Sequence, residues 1–390
     1  MADPTFDQIS ASTISDLRED VVWDNFFVGG DGDDGAPILR TLRTSGALDS
    51  YLGGTIMQEP FMFDRVLGGA TAPGSDQNIV QKQILAATAF VPKEYVEQVP
   101  LNLWQTNVIN AGPAGKVKLV DLYMTNAVMA ANTDLNIDFY RHGQASGTGI
   151  TDNRSIYVNG ADEVCSDGFN PGWTGNWYPN YGGQARNGAI GNVLNSTPIW
   201  AGAADGSTGQ VSFKLIVEAY LNCVRRPDTG VCNKALFAYL LERQEVKQRY
   251  AQETNARIGL TGIKVMDAFI HVDKLAPSTK YGTILPSGLS NTTSIKPATF
   301  ALPSLTAAQV AISGYPAGVT PTITPGEIFF WFRLKGWKIR PSEDPEYNHN
   351  FTPPIRSQNN PDLVVMFYKI AINLYSPSPR DNVQILGCGF

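Results

Sequence analysis

The histidines and cysteines are the side chains that most often bind metals or act in nucleophilic catalysis. They are scattered along the chain, at His142, His271, His349, Cys165, Cys223, Cys232 and Cys388. No cysteine pair has C-x-x-C spacing, and no histidine is placed to serve as a metal pair or as the base of a nucleophile. GxSxG and phosphate-loop motifs are absent. We therefore predict no metal, no cofactor and no catalytic residue, and we expect reduced thiols, with a Cys223–Cys232 bridge as the alternative for that pair.

Paired carboxylates offer another route to catalysis. A glycosidase needs only two of them facing each other across a cleft. The candidates include Glu218, Glu242, Asp267 and Asp273. A chain with 36 acidic residues always contains such pairs, so no particular pair is marked as catalytic.

The region 168–202 is rich in glycine, asparagine and aromatic residues. Trp173, Trp177, Tyr178 and Tyr181 could form a face that stacks on sugars, because an aromatic ring offers an apolar plane to a pyranose. This pattern gives one candidate function, an extracellular glycan-binding or glycan-cleaving β-rich protein. The favoured interpretation is a large ordered loop in which the aromatic side chains are anchors.

The composition restricts the class of protein. Only 17% of the residues are charged, and the net charge is −6. A net negative chain without clustered Lys and Arg does not bind nucleic acid through a general positive field. The Met1 end lacks the pattern of a signal peptide, and no apolar run reaches the length of a membrane span. We expect a soluble cytoplasmic protein whose surface is largely covered by neighbours, although a loop-rich β protein has similar statistics.

The longest predicted element is an amphipathic helix from Pro113 to Gly143. Its apolar residues recur at steps of three and four, and the core positions are Val117, Val120, Met124, Val128, Leu135 and Phe139. Pro113 suits the first helical turn, and Gly143 can take a left-handed cap. At a rise of about 1.5 Å per residue, the helix extends roughly 39 Å. A helix of that length can brace a whole domain.

Two segments before this helix have distinct patterns. From Gly68 to Pro100 an alternating, Ala-rich pattern predicts one hairpin, either packed within a sheet or extended away from it. Residues 1–60 show little regular pattern but carry apolar anchors at Trp23, Phe26 and Phe27. Such a segment needs a surface to lie on, which its own domain can provide.

The second half of the chain predicts alternating helices and strands. NKALFAYLLERQEVKQRYAQ (233–252) predicts a core strand followed by a charged helix, and LTGIKVMDAFIHV (260–272) predicts strands. Residues 286–326 are rich in Pro, Ser and Thr and predict a connector. Phe329–Ile339 and Leu363–Leu374 predict strands of one sheet beside the long helix.

This order of elements, and the segment DFYRHGQASGTGITDNRSIYVNGADE (138–163) after the long helix, resemble major capsid proteins of tailed bacteriophages of the Hong Kong 97 type. In that family a long spine helix runs into a turn and then into a short Gly-containing segment that opens the axial domain. Gly262, Val265, Tyr281 and Gly282 stand in the places of a G-x-x-V segment with a later Tyr-Gly. The resemblance covers nearly the whole chain in order.

The resemblance implies an α+β fold of the Hong Kong 97 type. Its implied parts are an N-terminal arm (1–60), an extended loop hairpin (61–100), a peripheral domain with the spine helix (101–143), an axial domain with surface insertions (144–325) and a return to the peripheral domain (326–390). The residues implied in contacts between subunits are Trp23, Phe26, Phe27, Ile79, Val80, Ile84 and Leu85.

The implied function is structural and not enzymatic. Such a protein self-assembles as pentamers and hexamers into the icosahedral head that encloses a double-stranded DNA genome, without sequence-specific DNA binding and without a membrane. Scaffolding, portal and decoration proteins are the implied partners. The implied location is the virion, after assembly in the bacterial host cytoplasm. Some family members join subunits by Lys–Asn isopeptide bonds, but no local pattern assigns such a pair here.

The apolar cluster of the N-terminal segment gives a first prediction. If Trp23, Phe26 and Phe27 dock on another subunit, a chain without residues 1–30 should fold but assemble poorly, because contacts between subunits are lost and few internal ones are. Thermal unfolding and electron microscopy measure the two properties separately. An unchanged particle yield would contradict the interpretation.

Overall fold

The structure is a computed structural model. It describes residues 37–66, 82–103, 113–141, 143, 157–168, 172–174, 178–201, 209–247, 252–255, 260–273, 275–277, 300–301, 322–323, 326–357, 360 and 362–389. Within these ranges no helix is both long enough and apolar enough to span a membrane.

The helices are α1 (Pro37–Ser45), α2 (Pro113–Phe139), α3 (Ala161–Val164), α4 (Gly188–Leu194), α5 (Phe213–Asn222) and α6 (Lys234–Lys247). The strands are β1 (Met57–Met62), β2 (Leu85–Phe90), β3 (Lys93–Asn102), β4 (Asn180–Tyr181), β5 (Gln184–Ala185), β6 (Ile199–Trp200), β7 (Gly209–Gln210), β8 (Thr229–Cys232), β9 (Gln252–Asn255), β10 (Leu260–Val265), β11 (Ala268–Val272), β12 (Phe300–Ala301), β13 (Thr322–Ile323), β14 (Glu327–Phe332), β15 (Lys338–Pro341), β16 (Asn350–Phe351), β17 (Ile355–Arg356), β18 (Leu363–Tyr375) and β19 (Val383–Gly389).

The first sheet is built around β18. β3 pairs antiparallel with β18 from Lys93 opposite Ile372 to Asn102 opposite Leu363. The short strands β15, β16 and β17 pair with the other edge of β18. From Leu363 to Ile372 every second side chain of β18 is buried, as the period-two sequence predicts for a strand with one covered face. The last residues, up to Tyr375, are buried on both faces.

The long helix α2 covers this sheet, with its contacts on β3 and β18. Its inward side chains are at most 2% exposed at Val120, Met124, Val128, Leu135 and Phe139. The side chain of Val117 lies outside the described residues. Every third or fourth residue therefore reaches the sheet, because these positions share one side of a helix.

The end of α2 differs from the prediction. The helix stops at Phe139, and the next turn is closed by hydrogen bonds from the Tyr140 N–H to the Ile137 carbonyl and from the Arg141 N–H to the Asp138 carbonyl. Gly143 is not a left-handed cap. A Cβ atom there would lie 2.4 Å from the Tyr157 carbonyl oxygen, so the glycine is required by the close approach of a second backbone segment.

The second sheet has the strand order β6-β19-β14-β8-β11-β10-β9, and β7 also pairs with β19. β14 runs antiparallel to both β19 and β8. The prediction that Phe329 joins the same sheet as Leu363 is therefore wrong, since β14 lies in the second sheet while β15 and β18 lie in the first. The last part of the chain contributes strands to both sheets.

The segment 233–252 also differs from the prediction. Residues Lys234–Lys247 form one helix, α6, and the adjoining core strand is β8, which precedes it. The Asn233 side chain accepts a hydrogen bond of 2.9 Å from the Leu236 N–H. An asparagine in this position caps the first turn of a helix, and it fixes the helix start where the sequence pattern favoured a strand.

Strand β14 joins two hydrophobic cores. Ile328, Phe330 and Phe332 pack in the core that contains α2. Phe329 and Trp331 point to the opposite side and pack in the core of α5 and α6. All six residues of β14 are buried, because both faces of the strand are covered.

The packing of α2 gives a second prediction. Val128→Asp places a carboxylate at a fully buried position and should lower the free energy of unfolding by about 3–5 kcal/mol, since an unpaired charge loses its hydration there. Leu122→Asp, on the same helix at a position that is 65% exposed, is the matched control and should cost less than about 1 kcal/mol. Urea unfolding of the isolated subunit measures both. Equal stabilities would show that the Val128 face is not core.

Candidate intersubunit contact site

A hairpin made of β1 and β2 leaves the body beside the first sheet. Its strands pair antiparallel from Met57 opposite Phe90 to Met62 opposite Leu85. Met57 and Phe90 are each 2% exposed, whereas Met62 and Leu85 are 60% and 57% exposed. The hairpin is therefore buried at its base and exposed toward its tip.

Aromatic stacking fixes the base of the hairpin. The Phe90 ring stacks on Tyr375 of β18 with 4.1 Å between ring centroids, and it meets Tyr181 edge-on at 5.3 Å. The Ala89 N–H donates to the Gly182 carbonyl oxygen at 2.8 Å. A two-stranded hairpin alone is marginally stable in water, so these contacts with the body hold it in place.

A buried carboxylate provides the second attachment. Glu59 of β1 is 7% exposed. It accepts hydrogen bonds from Lys338 Nζ at 2.9 and 3.0 Å and pairs with Arg340 Nη2 at 2.9 Å. The Tyr375 hydroxyl donates to Glu59 Oε1 at 2.9 Å. Burial and the Glu59 carboxylate raise the pKa of that hydroxyl, which therefore remains a donor.

The outer part of the hairpin presents apolar side chains to solvent. Met62 and Leu85 lie directly opposite each other, so they share one face of the ribbon. Val66, which follows β1, is 73% exposed. We call these three residues the hairpin face. Beyond the paired strands, Lys82 forms an ion pair of 2.5 Å with Asp64.

The predicted contact residues have different outcomes. Ile84 is half-buried and Leu85 is exposed. Ile79 and Val80 of the loop, and Trp23, Phe26 and Phe27 of the N-terminal segment, lie outside the described residues. The predicted hairpin bounds were wrong at both ends, because the strands begin at Met57, and Lys93–Asn102 pairs with β18 in the body.

Sequence reasoning missed Glu59 as an attachment point. The signal was present in MQEPFM, since a period of two places Glu59 on the same face as Met57 and Phe61. A charged residue at an inward position requires a partner of opposite charge. The partners Lys338 and Arg340 are about 280 residues further along the chain.

The aromatic, glycine-rich region does not form a sugar-stacking face in its described part. Trp173, Tyr178 and Tyr181 are at most 1% exposed, and Trp177 lies outside the described residues. The Trp173 indole N–H donates to the Tyr140 carbonyl oxygen at 2.8 Å. These rings are anchors, as the favoured interpretation of the sequence held, and the glycan function has no support.

Asp162 of α3 holds this region against the body. Its carboxylate accepts hydrogen bonds from the Trp173 N–H at 2.9 Å and the Tyr178 hydroxyl at 2.7 Å, and it also accepts from the Thr174 hydroxyl. A Cβ atom on Gly172 would overlap the carboxylate. Burial raises the pKa of Asp162 to about 6, although the hydrogen bonds oppose the rise.

The remaining reactive side chains are in the interior. All four cysteines are free and buried, as predicted, and burial raises the pKa of Cys223 to about 12. His271 and His349 are 3% and 6% exposed, while His142 lies outside the described residues. Across the described part of the chain, no three His, Cys, Asp or Glu side chains are grouped so that they could hold a metal ion.

Comparison with known proteins identifies the fold. No protein-family model and no curated protein matches the chain. The capsid asymmetric unit of cyanophage A-1(L) is similar at a TM-score of 0.59 with 11% identity, covering 93% of this chain and 96% of that chain. The capsid of the native GTA particle has a TM-score of 0.49 with 8% identity, covering 92% of each chain. Gordonia phage Cozz has a TM-score of 0.48 with 10% identity, covering 88% of this chain and 85% of that chain.

At these identities the likeness concerns the fold and not the sequence. Among these three structures only the cyanophage subunit exceeds a TM-score of 0.5, and the similarity extends over nearly the whole of both chains. The chain therefore has the mixed helix-and-sheet fold of a phage capsid subunit.

The attachment at Glu59 gives a third prediction. Glu59→Ala should lower the free energy of unfolding by about 1–3 kcal/mol, because Lys338 and Arg340 would lose their buried counter-charge while keeping partial access to water. Amides of β1 and β2 should exchange faster with solvent. Glu94→Ala, at an exposed position of β3, is the control and should change neither property. Unchanged exchange in Glu59→Ala would contradict the attachment.

Proposed function

We propose that this chain is a major capsid protein that self-assembles into the icosahedral head enclosing the double-stranded DNA genome of a tailed phage. The observation that carries the proposal is the capsid-subunit fold, shared over 93% of the chain with the cyanophage capsid structure. Fold alone does not fix function, so the exposed hairpin face provides a second, independent support.

The hairpin face is suited to a contact between subunits. Met62, Val66 and Leu85 are more than half exposed on a ribbon whose base is tightly held. Apolar side chains on a projecting element gain free energy when a neighbour covers them, at about 25 cal/mol per Å² of buried area. In this proposal the hairpin is the extended loop of the Hong Kong 97 type and lies over an adjacent subunit.

The other parts follow from the same model. The predicted arm of residues 1–60 is too long, because Ile38, Leu39 and Leu42 of α1 are buried in the core that contains α2, and Met57–Met62 is β1 of the hairpin. In this proposal only the segment before α1 supplies an arm. α2 and the first sheet supply the peripheral domain, and the second sheet with α5 and α6 supplies the axial domain. The strands β14 and β19 then belong to the axial part, although the sequence placed them in the peripheral return.

The proposed role is structural, with copies of the chain as the principal partners in pentamers and hexamers. Scaffolding, portal and decoration proteins would be further partners, and the shell would enclose DNA without reading its sequence. The net charge of −6 is consistent with enclosure without a general grip on phosphate. The proposed location is the virion, after assembly in the host cytoplasm.

The hairpin face gives a fourth prediction. In Met62→Ser with Leu85→Ser, the melting temperature of the isolated subunit should change by less than about 2 °C, because both side chains are already hydrated. Particle yield should fall roughly tenfold or more, since the loss recurs at every contact in the shell. Sizing chromatography and electron microscopy of the purified protein measure the yield.

Met62→Leu with Leu85→Met is the matched control and should assemble normally, because apolar area is kept. Normal particle yield from the serine variant would remove the hairpin face from the contact. Failure of the unaltered chain to form particles under all assembly conditions, with or without a scaffold, would count against the proposed function itself.

A further inference from the structure

Two carboxylic acids meet at the interface between α2 and β3. Glu97 of β3 and Asp134 of α2 are hydrogen-bonded through their side chains. Both are half-buried, and the next residues along the interface, Val99 and Leu135, are buried. A carboxylate can only accept a hydrogen bond. The contact therefore requires one proton between the two groups.

The surroundings decide which group is ionised. Just beyond the end of α2, the charge of Arg141 acts on Asp134, and Arg141 also forms a 3.4 Å ion pair with Asp138. Burial raises the pKa of Asp134, while the Arg141 charge and the hydrogen bond with Glu97 oppose the rise. On β3, the Tyr95 hydroxyl donates a hydrogen bond of 3.0 Å to Asp138 Oδ2, so Asp138 has its own donor. Asp134 is thus the acceptor, and Glu97 carries the proton.

On the neighbouring strand, the residue directly opposite Glu97 is uncharged. Tyr368 of β18 lies directly opposite Glu97 in the sheet register. Its hydroxyl is 2.6 Å from His349 Nδ1, and burial raises the pKa of that hydroxyl, so it stays neutral. Burial, together with the charge of Asp134, accordingly raises the pKa of Glu97 to about 7.

We propose that the proton shared by Glu97 and Asp134 forms a pH-dependent hydrogen bond that attaches α2 to the first sheet. At acidic pH Glu97 donates to Asp134 and holds the helix on β3. At alkaline pH the two carboxylates repel and the contact opens. The inference concerns the folded subunit and stands independently of the proposed function.

The position of the pair allows the helix to respond locally. Half-burial leaves a path for solvent protons. The C-terminal end of α2 is held separately, since the Tyr140 hydroxyl donates to Asp273 Oδ2 at 2.6 Å and Asn136 donates to the same oxygen at 3.0 Å. Loss of the shared proton therefore weakens the contact between α2 and β3 at this point, while the buried side chains of α2 still cover the first sheet and its end stays attached to the second.

The direction of the pH effect follows from the pKa of Glu97. It is about 7 in the folded chain against an ordinary value of 4.5, so the folded state holds this proton more tightly than the unfolded state. The stabilisation is complete below about pH 4.5 and is lost as the pH rises through about 7.

The fifth prediction concerns this pH-dependent hydrogen bond. Urea unfolding of the full-length subunit at pH 6 and pH 8 tests it. The equilibrium constant for unfolding should rise about threefold to tenfold through this site, the lower figure allowing for solvent screening. Glu97→Gln keeps a donor for Asp134 but cannot ionise, so it should lose this part of the pH dependence. Because Asp162 also titrates near pH 6, the difference between the unaltered chain and Glu97→Gln is the quantity that counts.

A second substitution separates proton sharing from simple packing. Asp134→Asn removes the negative neighbour, so the Glu97 step should move to lower pH, an effect that a purely structural role would not produce. An identical pH dependence in the unaltered chain and Glu97→Gln would overturn the proposal. If Glu97→Gln fails to fold, a carboxyl titration of ¹³C-glutamate-labelled protein decides, since the expected midpoint is near 7 and the absence of any midpoint above 5.5 would overturn it.

Discussion

The structure depends on the burial of β14 on both of its faces. Phe330 and Phe332 pack against the end of α2, where the ring of Phe139 lies 5.2 Å from that of Phe332. Trp331 points the other way, packs edge-on against Tyr220 at 5.4 Å and donates its indole N–H to the Ile216 carbonyl oxygen. Each such side chain contributes about 1.5–3 kcal/mol when fully buried. A shift of β14 would disturb both cores at once, so the strand ties the two sheets together.

Buried polar side chains hold separate elements of the fold together through hydrogen bonds and ion pairs. Asp162 binds the aromatic region, Glu59 holds the hairpin, and Asp273 joins the end of α2 to the second sheet. Arg186, which is 2% exposed, donates to the Ser166 and Glu163 carbonyl oxygens. Removal of one member would leave a buried group unsatisfied, which costs more than the net gain from an ordinary hydrogen bond. These groups fix geometry, whereas the hairpin face stays exposed to solvent.

The combination of a firmly held body and an exposed ribbon suits a repeated contact. The base of the hairpin is held by Phe90 and Glu59, whereas Met62 and Leu85 extend into solvent. A contact element that is already ordered at its base loses less conformational entropy when a neighbour binds it. The Glu97–Asp134 pair adds a place where the body itself can respond to pH.

The sequence alone determined that the segments of α2 and β18 are regular and which side of each is apolar. The three- and four-residue steps of α2 and the period of two in β18 are local properties of the sequence, so they can be recognised before the fold is known. Only the tertiary structure decided which strands pair: β14 lies between β8 and β19 and not beside β18, because pairing depends on contacts between residues distant in sequence. The same holds for Gly143, required by a backbone that approaches from Tyr157, and for Glu59, whose cationic partners lie near the other end of the chain. A local sequence pattern contains no information on partners this far away in the chain. These residues come together and become buried only when the chain is folded.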